Sequence, residues 1–465
     1  MNPSTAQTLP LRPLLHRWIQ RVSADPAFLQ AQVAKHGSPL NLHSLAPFTE
    51  NMRAYQLVFE ELELKHKIFF ARKANKCLPF ALEVVRLGEG IDTASYRELK
   101  QCLDAGVPPD DLLLTAAVKN RQLMELAWKH HVPIVIDNSD EWALLRSLQR
   151  EKSRSLTVHI RLGGFDFQGE KLHSRFGFNP QQALHFIRQA QLEEPNIQLS
   201  GLHFHLNGYS IEQRVAAITQ SLQLIDVLSS EGLTIRSLDI GGVFLINYLA
   251  DKTEWETFHR ELKRAVLAKR PALTYQNDPL GMIKLHGRLY GEPSVYPYYN
   301  ELHKADFLRR ILTAKAEHYA KPIYDLLRER NIELRMEPGR SLLDQCGLSI
   351  AQVAFRKTDS AGNLLVGLAM NRTQLRSSSA DFLVDPIHIP KQPKENNLSM
   401  QSHGYLVGAY CLEQELILKR KLTFQQYPEV GDLIAFPNTA GYMMHFFESE
   451  AHLFELAANV FVHDY

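Results

Sequence analysis

The sequence predicts a (β/α)8 barrel followed by an all-β domain. Three observations carry that prediction. From about Ile68 to Gly347 short apolar runs alternate with longer stretches of helical period, the pattern of repeated strand–helix units. Nearly every run ends in polar residues or glycine, as expected where a barrel keeps its functional groups on the C-terminal rim. After Gly347 apolar runs continue without long helices between them.

The strand runs are Lys67–Ala71, Gly90–Thr93, Leu112–Leu114, Ile134–Ile136, Thr157–Leu162, Leu199–His205, Ser237–Ile240 and Glu333–Glu337. Apolar residues recur at helical spacing in Leu78–Leu87, Tyr96–Ala105, Asn120–His130, Ser139–Arg150, Pro180–Gln191 and Ile211–Ser230. Eight alternations favour a closed barrel over an open sheet. The later strands are Leu348–Arg356, Leu364–Ala369, Gly404–Val407, Glu415–Leu422 and Leu433–Phe436. These runs divide the chain into an N-terminal segment (1–45) that joins the β domain, a barrel (46–345) and a C-terminal β-sandwich or β-barrel domain (346–465). Between Gly242 and Glu337 lies more chain than one helix and two loops require. An insertion at about 250–330 is therefore expected, with the tyrosine-rich part Tyr275–Tyr299 beside the barrel mouth, as a lid or a surface elaboration. Pro390–Gln401 reads as a polar loop.

The totals exclude several classes. In 465 residues, Lys plus Arg is 52 and Asp plus Glu is 51, so no strong field invites nucleic acid or an anionic membrane. Four scattered cysteines make neither a disulfide framework nor a Cys-x-x-Cys zinc site. The first residues carry no apolar core of signal-peptide length, and no run of transmembrane length occurs. A cytoplasmic protein is expected.

Certain residues are placed for chemistry. Lys73 follows the first apolar run, where a lysine delivered into a site can act as an amine on a carbonyl, including an aldehyde cofactor. Alone it reads as plain surface. His203 and His205 close another strand at i, i+2, on one face; a flat imidazole there can stack on a cofactor, and His-x-His is also a metal-ligand spacing. No carboxylate or cysteine is close in sequence, so no metal is assigned. Gly241 and Gly242 permit close approach of backbone N–H groups to a phosphate. In Met336-Glu337-Pro338-Gly339-Arg340 the glutamate can accept from a pyridinium nitrogen and the arginine can grip phosphate, or the two form an ordinary surface pair. Cys411, after Gly408-Ala409-Tyr410, is a candidate proton donor, and alone reads rather as a buried inert cysteine. Tyr442, in Thr439-Ala440-Gly441-Tyr442, offers a hydroxyl to a phosphate, or alone is just a capped aromatic.

Taken in order, these segments resemble the fold-type III pyridoxal-phosphate decarboxylases, the group of diaminopimelate, ornithine and arginine decarboxylases, with alanine racemase as a distant relative of the same fold. Ala71–Cys77, Met370–Pro386 and Val407–Glu415 are most similar to a less characterised bacterial branch. The resemblance implies pyridoxal 5'-phosphate as cofactor and an alanine racemase-like barrel. It implies Lys73 as the lysine that bonds the cofactor aldehyde, with Asp92 beside it, and His205 as the ring that stacks on the cofactor. Gly241, Gly242, Arg340 and Tyr442 are implied as phosphate ligands and Glu337 as the partner of the pyridine nitrogen. Cys411 is implied as the group that protonates the α-carbon after carbon dioxide leaves. A homodimer with shared active sites is implied as well, with Arg175 and Glu415 where the family often has an intersubunit ion pair.

The chain departs from the family pattern at Val243, where a third glycine is usual, and at Asn207-Gly208, where a serine is usual. Leu412 stands in place of the acidic residue that grips a distal amine; Glu413 is its nearest substitute. Gly367 replaces the aspartate of a Val-Asp-Ala-Gly segment. Arg376 is placed to match an arginine that binds a substrate carboxylate. The reading is a decarboxylase acting on an amino acid with a second polar group. Its rivals are a racemase of the same fold, a non-catalytic cofactor-binding protein, and a metal-dependent hydrolase built on His203 and His205.

Overall fold

The computed structural model describes residues 7–151, 156–194, 197–392 and 401–463. Most of the polar loop at 390–401 lies outside them. The chain forms two compact units, one of residues 49–245 and 302–342, the other of 1–48, 246–301 and 343–465.

The first unit is a closed parallel barrel. Its strands are β1 (His66–Ala71), β2 (Gly90–Thr93), β3 (Leu112–Leu114), β4 (Ile134–Ile136), β5 (Leu156–Leu162), β6 (Ile197–Phe204), β7 (Ser237–Asp239) and β8 (Glu333–Met336), paired in sequence order with β8 returning to β1. The register sets Ala71 beside Asp92, Asp239 beside both His203 and Arg335, and Met336 beside Ile68. Phe69, Leu113 and Val135 fill part of the interior. The eight apolar runs of the sequence are these eight strands. Four of the rim loops turn into a helix where a polar side chain caps it: Ser95 accepts from Glu98 N, Asn120 from Leu123 N, and Ser210 from Gln213 N, while Asn179 and Gln182 form a capping box. Gly90 is required by packing, since a Cβ there would lie 2.6 Å from the Phe69 ring and 2.9 Å from Asp111 O.

The second unit holds an eight-stranded sheet. Its main path runs Ile387–Ile389, Leu433–Pro437, Gly347–Thr358, Leu364–Leu368, Ser402–Val407, Leu422–Phe424. Leu40–His43 pairs antiparallel with Gly347–Thr358 and parallel with Ala458–Phe461. Gly367 is explained here, because a Cβ would run into the Phe355 ring on the neighbouring strand.

The stretch expected as one insertion at about 250–330 divides: residues 246–301 group with the sheet unit and 302–342 with the barrel. The reason is pairing and packing. Tyr275 N donates to Lys419 O and Lys421 N to Leu273 O, at 2.8 and 2.9 Å. Tyr248, Tyr298 and Phe382 pack ring against ring, and Tyr298 is buried with its hydroxyl on Asp381 O. Tyr290, by contrast, is exposed. The strand expected at Glu415–Leu422 does not form; the regular strand begins at Leu422. The backbone of 416–419 is satisfied elsewhere. Leu416 O and Ile417 O accept from the Arg376 guanidinium, Ile417 N donates to Leu406 O, and Lys419 N to Asp381 Oδ2. No helix among the described residues is long and apolar enough to cross a membrane.

Candidate active site

The C-terminal ends of β1, β2, β6, β7 and β8 gather the polar residues. Lys73 lies in the short helical turn Arg72–Ala74 just past β1, held there because Ala71 N donates to Pro338 O. Its Nζ donates to Asp92 Oδ2 at 2.5 Å. Asp92, on β2, is fully buried and accepts from Thr115 Oγ1 on its other oxygen. Burial pushes the Asp92 carboxyl up, and the Lys73 ammonium opposes that push. The lysine side chain is partly exposed and its carboxylate partner wholly enclosed.

The two histidines divide the work. His203 is fully buried, and its Nε2 meets Glu337 Oε1 at 2.9 Å. Burial drives its pKa well below the ordinary value, so a neutral ring donates from Nε2, and its Nδ1 is buried without a partner. His205 comes one residue past β6. Gly242 N donates to its Nδ1 at 3.2 Å, which leaves the proton on Nε2. Burial and the neighbouring Lys73 keep this ring neutral too.

Glu337 is 3% exposed and its backbone N–H donates to Gly241 O. Asp239, just before the glycines, accepts from Gly241 N on Oδ1 at 2.8 Å, and its Oδ2 is buried without a partner. Burial raises both carboxyls, Asp239 most, and each repels the other. His203, Asp239 and Glu337 offer ligand atoms all within 4.8 Å of one another, so the cluster has the spacing of a cation site as well as of a hydrogen-bonded set. Sequence reading missed this trio, because its members come from three strands.

The glycine pair is a cradle. Gly241 has φ of +67°, and a Cβ on it would lie 2.7 Å from Phe204 O and 2.8 Å from His205 Nδ1. On Gly242 a Cβ would lie 2.5 Å from Glu337 O. Both backbone N–H groups are already used, by Asp239 and His205. In this arrangement the pair gives room at the rim. Arg340 lies in the turn after β8, partly buried.

Cys411, Glu413, Arg376 and Tyr442 belong to the sheet unit. Cys411 is exposed on a turn closed by Gly408 N to Glu415 O and Glu415 N to Leu412 O, and Ala409 N reaches Met370 O. Glu415 is buried: Oε1 accepts from Arg372 N at 2.8 Å, and the Arg372 guanidinium also reaches Gln414 O. It is thus held within its own chain, while Arg175 lies exposed over the Phe176 ring. Glu413 is exposed on the Cys411 turn. Tyr442 has φ of +70° in the turn after Leu433–Pro437, with its ring edge-on to Phe446. Arg376 is 8% exposed, bonded to Asp381 Oδ1 at 3.3 Å and to the carbonyls of Ala380, Leu416 and Ile417. These bonds tie residues 376–381 to the backbone of 416–417.

The donor set fits a pyridoxal cofactor. It offers a lysine amine, a flat neutral imidazole, a buried carboxylate with a fixed partner, and a glycine cradle. Comparison with known proteins agrees. Residues 45–280 match the pyridoxal-dependent decarboxylase family through its pyridoxal binding domain. An uncharacterised protein of Sinorhizobium fredii is 30% identical over 90% of this chain and 86% of its own. The diaminopimelate decarboxylase of Vibrio cholerae is 24% identical over 88% of this chain and 84% of its own. Among solved structures, diaminopimelate decarboxylase from Helicobacter pylori complexed with L-lysine superposes with a TM-score of 0.68 at 18% identity, covering 94% of each chain. Lysine/ornithine decarboxylase from Vibrio vulnificus complexed with putrescine gives 0.67 at 18% identity, covering 97% of this chain and all of that one. With the rim residues in place and the match running through the barrel, the chain belongs to the pyridoxal-dependent decarboxylases, a carboxy-lyase whose cofactor is pyridoxal 5'-phosphate.

Proposed function

We propose that the protein is an α-decarboxylase of an amino acid carrying a second polar group, similar to the diaminopimelate decarboxylases, acting as a homodimer. The observation that carries the reading is Lys73 Nζ held 2.5 Å from Asp92, on the same barrel rim as the His203–Glu337 pair. When bound, the cofactor supplies the electron sink that lets the carboxylate depart.

The chain's own residues do the rest. Lys73 is the covalent anchor of the aldehyde, and Asp92 fixes where its Nζ stands and where its proton goes. His205 presents a ring whose orientation is set by Gly242 N. Glu337 is the acceptor for a ring N–H, with its Oε1 steadied by His203. Arg340 and Tyr442 bind phosphate. Cys411 hands a proton from Sγ to the substrate's α-carbon, and its turn is stapled by Arg372 and Glu415. Glu413, exposed on that turn, is assigned to the distal polar group. The exposed apolar side chains Leu412, Phe446, Phe447 and Leu453 on the sheet unit favour a partner surface there.

The experiment is a screen of amino acids, both enantiomers, for carbon dioxide release by holoprotein, with Cys411→Ala beside the natural chain. Release from a diamino or amino-diacid substrate, slowed in the variant, is expected. No release from any of them defeats the reading. Exchange of the α-hydrogen in deuterated water, with scrambled chirality and no carbon dioxide, points instead to a racemase. Mixed Lys73→Ala and Cys411→Ala chains are expected to regain activity that neither has alone; failure to do so argues against shared sites.

A further inference from the structure

Arg214 sits in the first turn of the helix Ile211–Ser230 and is 1% exposed. Its Nη2 donates to Gly242 O at 2.9 Å, Val243 O at 3.0 Å and Gly208 O at 3.3 Å, and its Nη1 to Ile240 O at 3.5 Å. Its Nε is buried without a partner. Among the described residues no carboxylate pairs with it; its hydrogen-bond partners are these carbonyls, and burial lowers its pKa to about 10. A guanidinium removed from water without an anion is strongly unfavourable, and carbonyl dipoles offset only part of that.

The carbonyls it holds belong to an unusual turn. Val243 has φ of +65°, left-handed backbone that a β-branched residue rarely adopts. In a trans peptide the C=O and the following N–H point opposite ways. Arg214 draws the Gly242 and Val243 carbonyls to itself, so the N–H groups of Val243 and Phe244 are turned away from it. Among the described residues neither N–H has an acceptor. They are free donors on the loop whose glycine donors are occupied.

We propose that Arg214 is the positioning residue of an anion cradle formed by the Val243 and Phe244 N–H groups, and that the anion is the phosphate of the pyridoxal cofactor. The inference rests on this rim being the cofactor site, and it names the residue that holds the loop where Val243 replaces the usual glycine. The guanidinium fixes the left-handed turn by its carbonyls and leaves a net positive charge behind donors that point outward.

The test uses full-length apoprotein and calorimetric titration with three probes: pyridoxal 5'-phosphate, pyridoxal without phosphate, and inorganic phosphate. Arg214→Met is expected to weaken pyridoxal phosphate by about tenfold or more and pyridoxal by less than about threefold, with inorganic phosphate binding lost. Arg214→Lys keeps the charge but not the multiple grip, so it falls between; adding Val243→Gly, which relieves the left-handed turn, moves it back toward the natural chain. If Arg214→Met fails to fold, the lysine pair decides. Equal weakening of both aldehydes, or no change, overturns the proposal, as does restoration failing in the double variant. If the natural chain binds inorganic phosphate through Arg214 but neither aldehyde, the cradle stands and the cofactor reading falls. If it binds none of the three, both fall.

Discussion

Replacing Arg376 by methionine separates a scaffold arginine from a substrate ligand. The guanidinium holds Asp381 Oδ1 and three carbonyls, those of Ala380, Leu416 and Ile417. Asp381 has a fully buried carboxylate that burial already pushes up, with Arg376 the main opposing charge. Methionine fills similar space but leaves Asp381 with the Lys419 N–H at 3.0 Å on one oxygen and only the weaker influence of the Lys419 and Arg420 charges against burial. Breaking a buried pair in this way costs about 3–5 kcal/mol, and each carbonyl left dry adds about 1 kcal/mol, though these do not add fully. The expected loss is roughly 4 kcal/mol, read by urea unfolding through tryptophan emission. Asp381→Asn in the same background removes the stranded charge and is expected to return about 1–2 kcal/mol, a coupling that a double-mutant cycle measures. In whatever protein remains folded, KM for the substrate stays within about threefold. A stability loss below about 1 kcal/mol, together with a KM raised by orders of magnitude, refutes the scaffold assignment and returns Arg376 to the substrate.

Two further outcomes follow from the geometry. Gly242→Ala places a Cβ 2.5 Å from Glu337 O, a backbone atom that cannot swing aside, so the β7–β8 rim must spread. A cost of about 1–3 kcal/mol is expected in thermal unfolding, with cofactor affinity lowered at least about tenfold by equilibrium dialysis; an unchanged affinity contradicts the cradle. His43 is buried in the sheet unit against Asn459, and burial depresses its pKa from 6.5 to about 4. The unfolded chain therefore binds a proton that the folded one refuses. Stability is full above pH 6.5 and falls as pH drops toward 4, by roughly 3 kcal/mol from this residue. His43→Asn is expected to flatten that acid limb in urea titrations at pH 7 and pH 4.5; an unchanged slope refutes the assignment.

What could be read before the structure was local. Leu112–Leu114 and Ile134–Ile136 are short apolar runs between caps and turns, and buried parallel strands have no other pattern. Lys73 and Glu337 were legible because strand end and polar residue adjoin in sequence. Glu415–Leu422 looked like a strand and is not, since its backbone partners are Arg376, Asp381 and Leu273, which no local pattern reveals. The His203–Glu337 bond joins residues 134 apart. Arg214 left one usable signal: it falls on the helix stripe with Ile218, Leu222 and Ile225, where a charged residue is enclosed. Its acceptors, on a loop after a different strand, were invisible.

The most direct measurement of the central claim is where the cofactor attaches. Holoprotein reduced with borohydride and digested is expected to carry the pyridoxyl group on the peptide containing Lys73, and Lys73→Ala is expected to lose both that label and carbon dioxide release. Label on another lysine, or carbon dioxide release that survives Lys73→Ala at the natural rate, contradicts the account.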